Sequence, residues 1–202
     1  MDVDPVQTVE SLREEASAAA RRNARLNATV AISVAILATF MGICKVKDDN
    51  IVQAMQQAQA DKLDHWSYYQ ARNVRQEVAE ATLTQLRLAR AGRSGAEAAA
   101  YDTEIVRYQA LAADQLKKKL EVKAQAEQDQ KTYDALNFRD DQFDLSDALL
   151  AIAIALLAVT ALTQLWWLYW LACVPMGFGM LMGVAGLGGL GIHPDALVRL
   201  LS

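Results

Sequence analysis

Few side chains in this sequence have the type and spacing that chemistry requires. The histidines are His65 and His193. Asp61 and His65 stand one helical turn apart and would share a metal ion if a third ligand joined them. No third ligand is evident, so a solvated helix face is the plainer reading. Serine and cysteine nucleophiles lack a histidine base at a usable spacing, and no glycine-rich phosphate loop follows a strand. Cys44 and Cys173 lie in or at apolar runs, with neither metal spacing nor a disulfide framework. Asp147 is the one acidic residue close to a membrane core. It reads either as pore-lining or as an interfacial residue at a helix start. The sequence therefore predicts no enzyme, no metal site and no cofactor.

The elements that would position these residues follow from where charge is missing. No charged residue occurs between Leu26 and Cys44, or between Ala148 and Ile192. The first run, 26–44, is long enough to cross a hydrocarbon core of about 30 Å as a helix. Met41-Gly42-Ile43-Cys44 has the outline of a lipoprotein cleavage site, but Ile43 stands where a small residue is needed, so an uncleaved anchor is expected. The second run is long enough for two spans, 146–166 and 172–191. Trp166, Trp167, Tyr169 and Trp170 form a candidate interface belt at the corner between them. Pro175 would start or kink the third span, and a re-entrant segment is the alternative to that span. Gly179 and Gly183 form a G-x-x-x-G pair suited to close helix packing. Segment 1–25 includes Val9, Leu12 and Ala16 at helical spacing and would lie at the membrane surface; 192–202 is a tail. Arg13, Arg21, Arg22 and Arg25 precede the first span, while Lys45 and Lys47 after it are offset by Asp48 and Asp49. That asymmetry puts the N-terminus inside.

Between the spans, 45–145 holds no proline and few β-branched residues, and reads as helix. Gly92-Arg93-Ser94-Gly95 interrupts it, so the tip of a helical hairpin is expected at 92–95. Gly92 would end the first arm, and Ser94 with Glu97 would form a capping box. Ala71, Val74, Val78 and Ala81, with Leu63, Trp66 and Tyr69 or Gln70 below, form a stripe on the first arm, and Tyr101, Ile105, Tyr108, Ala112, Leu116 and Leu120 one on the second, at the steps of three and four of a two-helix coiled coil. A tip at 93–94 would set Tyr69 level with Lys118, and Trp66, Tyr68 and Tyr69 beside Lys117, Lys118 and Lys119, within reach of cation–π contact. The solvated face is the alternative for those lysines. So thin a seam is marginal for an isolated hairpin, and a homo-oligomer is expected. The fold class is thus an all-α membrane protein: three transmembrane helices, with a long antiparallel coiled-coil hairpin between the first and second.

Asp64-His65-Trp66-Ser67-Tyr68-Tyr69-Gln70-Ala71-Arg72-Asn73-Val74-Arg75 resembles the hallmark of a bacterial membrane family catalogued as domain of unknown function four-three-three-seven. That family's motif is D-x-W-x-Y-Y-Q-A-K-x-I-K; here Arg72 and Arg75 replace the lysines and Val74 the isoleucine. The resemblance extends through Phe143 and Ala151-Ile152-Ala153-Ile154-Ala155 to Ala161-Leu162-Thr163. It implies an inner-membrane location and a cytoplasmic turn after the second span. Gln164-Leu165-Trp166 departs from the family by lacking the base before the tryptophan. The family carries no known activity. Trp66, Tyr68, Tyr69 and Gln70 are therefore expected to serve assembly, with Trp66→Ala weakening it by ~3 kcal/mol.

The net charge of −4 gives no nucleic-acid surface. The partners expected are membrane lipid and further copies of the chain, with an unknown protein partner if Trp66 is exposed. The first expectation for function is a non-enzymatic oligomeric inner-membrane scaffold or anchor presenting a periplasmic coiled-coil stalk. The alternative is a channel or transporter-associated subunit, suggested by Asp147 and the glycine-rich third span.

Overall fold

The computed structural model describes residues 5–192, with side chains from Val9 onward except Ser11 and Leu12. His193 and most of the 192–202 tail lie outside the described residues. The chain forms three helices: α1, Pro5–Arg90; α2, Gly95–Thr163; and α3, Trp166–Gly188. All three are long and apolar enough to cross a membrane. No strand occurs among the described residues. The segment before the first apolar run belongs to α1 itself, with no break at which it would turn to lie along a membrane surface.

Two compact units divide the chain: Met1–Val52 with Phe138–Ser202, and Gln53–Asn137. In the first unit, Leu26, Val30 and Leu37 of α1 meet Leu150, Ala153 and Leu157 of α2 and Ala172 of α3. These residues repeat at three, four or seven, which lines up one face of each helix. Their outward neighbours Ile32, Ile36, Ile43, Ile152, Leu162, Phe178 and Leu181 are exposed and apolar. Lipid is as apolar as such side chains, so close packing and hydrogen bonds must hold these helices together. Ser33 and Tyr169 hydroxyls meet at 3.2 Å, and Gln164 Nε2 donates to Asn27 Oδ1 at 2.8 Å. α1 and α3 therefore run the same way, with α2 antiparallel.

The α2–α3 corner is two residues long, Gln164 and Leu165. Gln164 takes a left-handed conformation, φ 58°, which stops α2 at Thr163, short of the expected end of the second span at 166. This corrects the expected corner: Trp166, Trp167, Tyr169 and Trp170 are the opening turns of α3. Pro175 lies inside α3 and does not start it.

In the Gln53–Asn137 unit, α1 and α2 face each other across a turn at 91–94. Gly92 has φ 81°, the left-handed residue expected after a helix end. Glu97 pairs with Arg93, which takes the place of the expected capping box. Sheltered residues of α1 recur in alternating steps of three and four: Met55, Ala58, Lys62, His65, Tyr69, Arg72, Gln76, Ala79, Leu83, Leu86 and Arg90. On α2 the same alternation runs through Ala98, Tyr101, Ile105, Tyr108, Ala112, Gln115, Lys119, Val122, Ala126, Asp129 and Tyr133. Leu63, Val74 and Val78 of α1 and Leu116 and Leu120 of α2, expected in this seam, are exposed. Polar pairs join the arms: Lys62–Gln130 at 2.7 Å, His65–Asp129 at 2.6 Å, Arg72–Gln115 at 3.1 Å and Asn73–Lys119 at 3.0 Å. Gln115 thus stands opposite Arg72 at the expected level, whereas Lys119 reaches about one helical turn along the first arm to Asn73.

Candidate functional site

The expected site residues fall into separate places. Trp66 is half-buried and meets Tyr69 edge to face, with ring centroids 5.4 Å apart. Tyr68 points outward and is 62% exposed, and Gln70 is exposed. Lys117 and Lys118 bond to Glu121 and Asp114 on their own helix. The cation–π contacts formed are Arg93 over Tyr101 and Arg107 over Tyr108. Asp61 accepts from Gln57 while His65 turns to Asp129, so these two residues do not converge. Among the described residues no group of three or more His, Cys, Asp or Glu is disposed to hold a metal ion.

In the other unit the glycines of α3 serve contact within one chain. A Cβ at Gly179 would stand 2.8 Å from Leu150, one at Gly183 2.6 Å from the Phe40 ring, and one at Gly186 2.9 Å from the Phe143 ring. Gly186 extends the expected pair by a turn. Ser146 Oγ donates to Gly179 O at 2.8 Å. Trp166 and Tyr169 pack toward the core, while Trp167 and Trp170 face outward. That split suits a belt at a membrane interface.

The densest chemistry lies where α2 enters this unit, beside the last turn of α3. Arg139 donates from Nη2 to Gly186 O at 2.8 Å. Gln142 Nε2 donates to Leu190 O at 2.8 Å and Ile192 O at 2.6 Å. A cation and an amide thus serve the carbonyl end of a helix, where the backbone dipole is negative.

The opposite face of this stretch carries Asp140, Asp144 and Asp147 at steps of four and three. Asp48 of α1 faces them and is buried. Its Oδ2 accepts from Lys45 at 2.8 Å, while its Oδ1 is buried without a donor. Asp147 Oδ1 is likewise buried without one. Burial and a side-chain hydrogen bond with Asp48 push the Asp140 carboxyl up to about 6, with Asp144, Asp48 and Asp141 adding repulsion. Burial and the charges of Asp48 and Asp141 raise Asp144 as well, opposed by Lys45. Lys45 is held protonated by its hydrogen bond to Asp48 and the charges of Asp48 and Asp49. Sequence reasoning singled out only Asp147. The three-and-four spacing was visible, but that Asp48 is sheltered against it was not.

The family model described as domain of unknown function (DUF4337) matches residues 26–189. The chain belongs to the DUF4337 family. The match takes in both units, including the carboxylates and the α3 glycines of this DUF4337 chain. No curated protein and no solved structure is significantly similar to it.

Proposed function

We propose that this chain is a non-enzymatic scaffold of the bacterial inner membrane that works as an assembly of copies. In this reading three helices cross the bilayer with the N-terminus inside, and Gln53–Asn137 is an antiparallel coiled-coil hairpin in the periplasm. The carrying observation is where that unit keeps its apolar side chains. Its seam is rich in Lys62, His65, Arg72, Gln115 and Asp129, while Leu63, Val74, Val78 and Leu88 of α1 are exposed. Those four fall within a sector of about 80° at 3.6 residues per turn. An apolar row outside lipid calls for a protein partner, and a further copy of the same chain is the commonest one. The arginines before the first span, against a Lys45 neutralised by Asp48 and Asp49, support the orientation. Cross-linking in native membranes is expected to give a ladder of defined size that collapses in a Val74→Ser, Val78→Ser double variant. A strictly monomeric chain at native expression would sink the reading.

A channel or transport-associated subunit is the second reading, favoured by the buried Asp147 oxygen that lacks a donor. Flux through reconstituted vesicles that Asp147→Ala abolishes would put it first. Its weakness is that the spans are otherwise almost wholly apolar.

A further inference from the structure

The carboxylate group where α2 enters the first unit presents an imbalance that backbone packing does not resolve. Asp48 is 4% exposed. One of its oxygens is taken by Lys45, the other is buried without a donor, and its side chain meets the Asp140 carboxyl. Two ionised carboxylates cannot hydrogen-bond, because each has only acceptors. Asp147 adds a second buried oxygen without a donor. The groups facing this pair can be named element by element. From α1 come Cys44, Lys45, Asp48 and, beyond Lys45, Asp49. From α2 come Asp140, Asp141, Asp144 and Asp147. α3 has no ionisable acid or base between Trp166 and Gly188 apart from Tyr169 and Cys173. Arg139, the other cation nearby in sequence, is bonded to Gly186 O. One lysine therefore meets several carboxylates, and the missing donor must come from solvent.

We propose that Asp48 and Asp140 form a proton-binding pair joining α1 to α2 beside the membrane-crossing segments, so that packing of this unit responds to pH. A proton from water binds one carboxylate and makes it the donor that the other lacks. Loss of that proton leaves two like charges in contact and loosens the helices. No electron transfer is involved, and the pair works whether or not copies of the chain associate. Like charges sharing one sheltered site cannot both ionise without large penalty.

The test uses the full chain in phosphatidylcholine nanodiscs, with infrared spectra recorded between about pH 4 and pH 8 to span ordinary and raised carboxyls. A carbonyl band of a protonated acid should vanish with a midpoint of about 6. Asp140→Asn should remove that band, Asp48→Asn should lower its midpoint while burial keeps it above the ordinary carboxylate range, and Asp49→Asn should leave it in place. Amide exchange in residues 44–52, corrected for intrinsic rates, should be about tenfold slower below the midpoint than above it. That contrast should be absent in Asp140→Asn, whose amide mimics the protonated state and keeps the fold. A band lost only in the ordinary carboxylate range, or one that titrates unchanged in both Asn variants, overturns the proposal. A midpoint that falls as sodium replaces choline at constant ionic strength also overturns it, because a cation would then be the occupant.

Discussion

Gly186 lies against the buried ring of Phe143, so close that a Cβ on the glycine would stand 2.9 Å from the ring. Phe143 is 1% exposed and has no room to retreat. Gly186→Ala should therefore destabilise the first unit by about 1–3 kcal/mol, the usual effect of overpacking. Gly177→Ala, with nothing within 4 Å, should be neutral or slightly stabilising. Thermal unfolding in detergent compares the two; equal midpoints would show that α3 does not sit on α2 in this way.

Ser146 and Gly179 give a second handle on the same contact. Ser146→Ala removes a buried interhelical hydrogen bond. Such bonds contribute about 0.6 kcal/mol and rarely more than about 2 kcal/mol within membranes. A small, measurable drop in the unfolding midpoint is expected.

The seam and turn of the Gln53–Asn137 unit should respond differently to loss of an aspartate partner. His65 and Asp129 are sheltered, with side chains 29% and 21% exposed, whereas Asp102 at the Arg90 pair is 56% exposed. Asp129→Ala should accelerate amide exchange around His65 and weaken the unit by about 0.5–1.5 kcal/mol, because a half-buried hydrogen bond between the arms is lost. Asp102→Ala should change stability by less than about 1 kcal/mol.

Trp66→Ala should now be read against its observed surroundings. The ring is half-buried, with Tyr69 as its edge-to-face partner. An aromatic pair adds about 0.5–1.5 kcal/mol beyond the area it buries. The variant should therefore loosen the arms around residue 66 while Tyr69→Phe, which keeps the ring, has little effect. Exchange rates across 62–73 report the difference.

The raised carboxyl of Asp140 sets the sign of a pH dependence. The folded chain binds this proton more tightly than the unfolded chain does. Its contribution is thus complete below about pH 4, where the unfolded carboxyl is also protonated. It declines as pH rises and is lost by the time pH passes about 6. Asp144, displaced in the same direction, steepens the decline. The unfolding midpoint of the wild type relative to Asp140→Asn should fall across that interval and level off above it.

Much of the helical layout was legible because its signals are local. Runs without charge marked the apolar segments, and Gly92 marked the turn. The register was legible only to within a turn, since long polar side chains such as Lys119 and Arg72 reach up or down the partner arm for their contacts. The inner face of the Gln53–Asn137 unit was harder. Reading it by hydrophobicity placed Leu116 and Leu120 inward, whereas Gln115 and Lys119 occupy the seam. Polar pairing between arms, as in His65 with Asp129, leaves no periodic apolar trace in either arm alone. The Asp48–Asp140 contact was hidden for a related reason: it joins residues far apart in sequence, and only packing brings them together.

The alternation of three and four along both arms has a consequence for what lengths such a chain can have. Removing a few residues from one arm would slide every polar partner past its mate and rotate the sheltered face outward. Removing seven from each arm, at matched levels, returns every surviving pair to its place. Viable relatives should therefore come in discrete sizes, differing by whole heptads excised symmetrically about the turn, and a single seven-residue deletion in one arm should be far more damaging than the fourteen-residue deletion that includes it.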